Sequence, residues 1–318
     1  MRALALPIVL ALVAAPAAAK AGERPNPFAQ FQQREAQLFD IGWQLARANS
    51  AFCPSTASSI GLMIHDAANY ARADEVRAAL SLAGDIGVQT VASGSPAERA
   101  GVKANHTLFA IDLAQVEQRW KPTLPTVQRT LQIEDAIAGS LEDGRVGLSF
   151  NDRGGETVID GVETCAAKFR LTGDVEAYAS ADTVFFGEGF MGFGLPRDLF
   201  AAAVAHELAH VIQGHARRKE SERWGWRKTR KSEREADRMM PWLLFNAGYD
   251  PGASADWMRT WGPKHSGGLL RKRTHDGWDE RLAMIVAETA ALKRLIAAND
   301  WKPGEADWSQ RFPAAPAE

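Results

Sequence analysis

Ala205-His206-Glu207-Leu208-Ala209-His210, entered through Leu199-Phe200-Ala201-Ala202-Ala203-Val204, is the stretch around which the chain is organised. An alanine-rich run without internal Gly or Pro reads as a helix. Residues four apart share a helical face, so His206 and His210 can present imidazole nitrogens to one metal ion. Glu207 is the next residue after the first candidate ligand and is rotated toward water in the metal's open coordination position.

Such a pair needs a third ligand and groups that orient it. Ser232-Glu233-Arg234-Glu235-Ala236-Asp237 leads into a second apolar helical segment. Glu233 and Asp237 are four apart, so their carboxylates share a face. Glu233 is the candidate third ligand, and Asp237 the acceptor for the second N–H of a ligating histidine. Glu235 points elsewhere and reads as a solvated residue, although the sequence leaves open an exchange of roles with Glu233. The longer H-E-x-x-H-x-x-G-x-x-H pattern requires Gly at 213 and His at 216. The chain has Gln213 and Ala216, with Gly214 and His215 one place off. His215 therefore reads as a helix-end residue near the C-terminal dipole. His206-Glu207-x-x-His210 with a downstream carboxylate is the pattern of a zinc hydrolase.

These residues, with Glu233-x-x-Ala236-Asp237, resemble the M48 family of zinc metallopeptidases. Thr274-His275-Asp276-Gly277-Trp278-Asp279-Glu280-Arg281-Leu282 is similar to a T-H-P-x-x-x-E-R segment of that family, with Asp276 where Pro is usual. The resemblance covers the second half of the chain. It implies an α+β protein with a mainly helical zincin domain of the gluzincin type, a small sheet, and one Zn2+ per chain. The candidate role of His275 is an extra oxyanion donor or a reversible fourth ligand. The alternative is a surface histidine beside a Gly-Trp turn.

At the start, Met1-Arg2, an apolar run from Ala3 to Ala15 and Ala17-Ala18-Ala19 have the layout of a secretory signal peptide cleaved near Ala19. The apolar run is short for a membrane span, and no later segment is long and apolar enough for one. The mature chain is expected to be soluble and periplasmic. Its two cysteines, Cys53 and Cys165, are then a candidate disulfide; two buried thiols are the alternative. A net charge of −2 argues against general nucleic-acid binding. An apolar content of 46% over this length supports a large core and two domains.

Leu38, Ile41 and Leu45 mark a helix expected to pack on the catalytic domain, followed by a strand within Ser59 to Tyr70. From Ile86 to Val102 a strand enters a Gly-Ser-Pro turn and a short helix that ends at Gly101. This looks like a PDZ domain of exported bacterial proteases, with Asn105-His106 where Gly-Asp is usual. Such a domain adds extended peptides to a sheet edge, and Ile86, Gly87 and Val88 are the candidate peptide-binding residues. The alternative is a domain that only packs on the protease and gates it. Lys168 to Leu171 and Thr183 to Phe186 read as strands, either of which can form the edge along which substrate lies. Arg217 to Lys231, basic with Trp224 and Trp226, reads as a solvated, mobile loop. The expected division is a signal peptide (1–19), an N-terminal helix and strand (20–75), a PDZ-like domain (76–162), a peptidase domain (163–300) and a mobile Pro/Ala-rich tail (301–318).

The function expected from these readings is cleavage of exported or envelope proteins, including unfolded ones, by zinc-activated water with Glu207 as general base. A normally occluded zinc-binding chaperone or adaptor module is the alternative. A zinc hydrolase of a non-protein amide is weaker, because a peptide-binding domain would have no purpose in it.

Overall fold

The structure is a computed structural model that describes residues 27–122, 127–151, 154–265 and 277–313. It is an α+β fold of four small sheets and ten α-helices among the described residues. A long helix, α1 (Pro27–Ala48), leads into β1 (Thr56–Ser59) and β2 (Leu62–Asp66). Next come α2 (Ala73–Leu80), β3 (Ile86–Val91), α3 (Pro96–Arg99), β4 (Leu108–Ile111), β5 (Ala114–Gln115) and α4 (Val116–Arg119). After these, α5 (Gln128–Glu142), β6 (Arg145–Phe150), β7 (Glu156–Asp160) and β8 (Val162–Cys165) complete a β-rich module. A three-stranded sheet follows, made of β9 (Lys168–Thr172), β10 (Ala177–Ala179) and β11 (Thr183–Gly187). The remainder is helical: α6 (Arg197–Ile212), α7 (His215–Ser221), α8 (Trp226–Asn246), α9 (Ala253–Trp261) and α10 (Trp278–Asn299).

Two large hydrophobic cores result, with two small clusters beside them among the described residues. The larger gathers α1, the three-stranded sheet and α6, α8, α9 and α10, with Leu38, Phe186, Phe200, Leu208 and Trp242 among its buried side chains. The smaller fills the β-rich module with Ile60, Ile64, Ile86, Leu108, Ile133 and Leu148. The module therefore begins before residue 76: β2, expected to pack on the helical unit, pairs antiparallel with β3, and its alternate residues Leu62 and Ile64 pack into the smaller core, as does Ile60 just before it.

The module leaves and rejoins the helical unit through an antiparallel ribbon of β1 and β8, with Thr56 opposite Cys165. Cys53 and Cys165 are disulfide-bonded at its root, their Cα atoms 5.5 Å apart, as the cysteine count suggested.

Three other expectations change. Ile86, Gly87 and Val88 offer no free edge. β2 covers one side of β3, and on the other Val88 N–H donates to the His106 carbonyl while Asn105 N–H donates to that of Val88. Burial of Ile86 through Thr90 on both faces makes β3 an interior strand. The tail is not mobile through residue 313, because Trp308 and Phe312 insert into the larger core and Trp308 Nε1–H donates to Asn49 Oδ1 at 2.9 Å. The basic stretch 217–231 is largely helical, forming the end of α7 and the start of α8. The signal-peptide region and His275 lie outside the described residues.

Candidate metal centre

α6 carries the site because it is the most enclosed helix of the larger core. Phe200 to Ala205, Leu208 and Ala209 are buried around its circumference, and Ala at most of these positions lets neighbouring helices approach closely. His206, Glu207 and His210, with Ala203 one turn before them, reach a cleft of about 860 Å3. α8 crosses α6 and delivers Glu233 from its first half.

Three side chains converge at the cleft floor. His206 Nε2 and His210 Nε2 stand 3.2 Å apart. Glu233 reaches both, with Oε2 3.7 Å from His206 Nε2 and Oε1 3.7 Å from His210 Nε2. One ligand atom from each lies within 4.8 Å of the others, so His206, His210 and Glu233 can hold a metal ion. No other group of three His, Cys, Asp or Glu among the described residues does so.

The surroundings fit a cation. His206 Nδ1 is 3.2 Å from Asp237 Oδ1, as the spacing of Glu233 and Asp237 suggested. An ionised carboxylate only accepts, so His206 Nδ1 carries the proton. His210 Nδ1 is likewise engaged, 2.9 Å from His215 Nδ1. With both Nδ1 atoms protonated, two neutral imidazoles aim Nε2 lone pairs at one another beside a carboxylate, an arrangement that a cation between them satisfies. Without a metal, a proton substitutes: burial opposes the His206 charge, but hydrogen bonds with Asp237 and Glu233 raise its pKa to about 10. Burial and the His206 charge push His210 down to about 3. The Glu233 carboxyl is held well below the usual range, its hydrogen bond to His206 and the charges of both histidines and Arg281 outweighing burial.

Glu207 sits beside this cluster, and burial raises its pKa to about 7, with His206 opposing and Glu233 adding to the shift. A carboxylate in that range is a matched general base near neutral pH.

Two groups that the sequence reading did not assign to the site complete it. Arg281 of α10 grips Asp237 bidentately, Nε to Oδ2 at 2.6 Å and Nη2 to Oδ1 at 2.7 Å, and lies 3.5 Å from Glu233. The Glu280-Arg281 pair was visible in the sequence as part of a motif, without a job. His215 is the other: it opens α7 and is buried against His210, and does not sit as a helix-end residue at a C-terminal dipole. Gly214, with φ +63°, ends α6 in the left-handed conformation and turns the chain so that the His215 ring folds back. Glu235 meets His215 on the far side, 3.2 Å away, so Glu233 and not Glu235 faces the ligand cluster.

The cleft runs beside β10, one of the two outer strands of the order β10-β11-β9. The edge beside the cluster is thus β10 and neither of the two strands anticipated. Phe190, Trp257, Trp261 and Trp278 also line the cleft. Comparison with family models, with curated proteins and with solved structures finds no match to this chain.

Proposed function

We propose that this chain is a zinc-dependent endopeptidase of the M48 type acting on exported proteins in the periplasm. The observation that carries the reading is the convergence of His206, His210 and Glu233, with Glu207 beside them, in a cleft bordered by β10, whose outer edge has no strand partner among the described residues. Two imidazoles and a carboxylate are a donor set that suits zinc with a position left open. Zinc bound there would lower the pKa of water and polarise a carbonyl oxygen.

The protein's own groups supply the remainder. β10 can pair with a substrate backbone in extended form, which sets the scissile carbonyl over the cluster. Glu207 accepts a proton from the attacking water and passes it to the departing amine. Asp237, fixed by Arg281, keeps His206 Nδ1 protonated and its Nε2 aimed at the cluster. The aromatic wall favours substrates with bulky apolar side chains, as unfolded proteins expose. The β-rich module is read as PDZ-like, holding substrates or gating the cleft. Among the described residues its outer strands are β2, β5 and β7, whereas β3 is bonded on both sides.

The absence of a span in any described helix and the Cys53–Cys165 disulfide are consistent with export. The test compares the protein from residue 20 onward with its Glu207→Gln variant for metal content and casein cleavage. About one zinc in both, with cleavage lowered by roughly 10²–10⁴-fold in the variant, is the expected result. Zinc in both with cleavage in neither would favour an occluded binding module, and metal in neither would remove the reading altogether.

A further inference from the structure

His210 is backed by a chain of two side chains that differs from the single carboxylate behind His206. His215 is 4% exposed. Its Nδ1 is 2.9 Å from His210 Nδ1, and its Nε2 is 3.2 Å from Glu235 Oε2. The proton positions follow from donor and acceptor capacity alone. The Glu235 carboxylate can only accept, so His215 Nε2 bears a hydrogen. Neutral His215 then has its lone pair on Nδ1, and the short contact with His210 requires His210 Nδ1 to donate. His210 is left with its lone pair on Nε2, the atom that faces His206 and Glu233.

We propose that Glu235 and His215 form a positioning relay that fixes the tautomer and ring direction of His210 as a metal ligand. This rests on the metal site proposed above. The relay is built in from several sides. Gly214 supplies the left-handed turn that His215 needs. The Trp224 ring closes over His215 edge-on at 6.2 Å, and Lys231 Nζ holds Glu235 from outside at 3.6 Å. The two imidazoles are therefore oriented independently, His206 by Asp237 and Arg281, His210 by His215 and Glu235. Ligand-orienting groups of this kind change metal affinity by about 10–100-fold when removed.

The test separates a relay from a ring that only fills space. In His215→Asn the side-chain oxygen occupies the position of Nδ1, keeping an acceptor for His210 while losing the link to Glu235. His215→Leu fills the space with no acceptor. Zinc affinity is measured against a competing fluorescent chelator on the chain from residue 20 onward. The expected result is a 10–100-fold loss in His215→Leu and a value within about threefold of the parent in His215→Asn. Equal affinity in all three proteins, or equal loss in both variants, overturns the relay. Should the leucine variant not fold, the tautomers are read directly in the zinc-loaded parent by nitrogen-15 histidine spectra. A hydrogen on His210 Nδ1 and on His215 Nε2 supports the relay, and a hydrogen on His215 Nδ1 overturns it while leaving the metal site standing. A parent that takes up no zinc overturns both.

Discussion

Asp237 is fully buried and carries a charge, an expensive state for a carboxylate unless it is paired. Burial opposes ionisation, but the charge and hydrogen bonds of Arg281, with a further bond to His206, hold its carboxyl below the usual range. Arg281→Met would leave that carboxylate without its partner, at a cost of about 3–5 kcal/mol by the behaviour of broken buried pairs. Arg281→Lys keeps the charge but not the two-pronged grip and should fall between; urea unfolding of the three proteins measures both. His65 is the opposite case. It is buried in the β-rich module, neither ring nitrogen has a partner among the described residues, and burial lowers its pKa to about 4. Between that value and the unfolded value near 6.5 the unfolded chain binds more protons, so stability climbs as pH rises through this window and is lost as pH falls. The contribution is of the order of 3 kcal/mol. His65→Leu should therefore gain on the parent as pH is lowered from 7 to 4, and a constant difference between them would contradict the assignment.

At the scale of elements, α1 is a beam between the two cores. Leu38, Ile41 and Leu45 enter the larger core, while Phe39 and Trp43 pack on Met63 and Ala92 of the β-rich module. Glu35 is buried between them, accepting from Gln89 Nε2–H at 2.6 Å and from Leu171 N–H at 3.4 Å. Burial outweighs these hydrogen bonds and raises its pKa. A raised carboxyl pKa means that the folded chain holds the proton more tightly, so stability falls as pH rises from the unfolded value toward the folded one. Relative to Glu35→Gln, the parent should lose stability as pH rises above the ordinary carboxylate range, read in paired denaturation curves. Only the first stripe of α1 was legible in the sequence, because its spacing follows the helical period. The second stripe mixes Glu35 with aromatics and becomes a packing face only once the module lies against it. The C-terminal stretch was misread for a related reason. Its Pro and Ala content suggested a mobile tail, whereas Trp308 and Phe312, four residues apart, were the signal of an anchor. Trp308→Ala should destabilise the chain by about 3–5 kcal/mol.

For the whole molecule, the readable parts were those fixed by local spacing, and the unreadable ones depended on distant partners. The helical turn places His206 over His210 and Glu233 over Asp237, so the ligand cluster could be named without coordinates. His215 and Glu235 had to be brought together by the crossing of α6 and α8, separated by the Gly214 turn, and no period announces that. Ile86 to Val88 were correctly read as a strand, but its place inside the sheet depends on β2 and on the 105–107 segment. The division into two cores depends on a long-range element as well, the ribbon of β1 and β8 closed by Cys53–Cys165. That bond joins residues 112 apart in sequence, so it restricts the unfolded chain strongly, by about 5 kcal/mol in the chain-entropy limit. It is also placed at the root of the ribbon, remote in sequence from α6 and α8, which hold the ligand cluster. Replacing both cysteines by alanine should lower stability by about 2–5 kcal/mol, read from denaturant midpoints. The same variant should keep the metal stoichiometry of the parent while proteolysis within residues 53–165 becomes faster. Loss of metal binding together with the disulfide would mean that the ribbon supports the candidate metal centre directly, and that the two cores are a single cooperative unit.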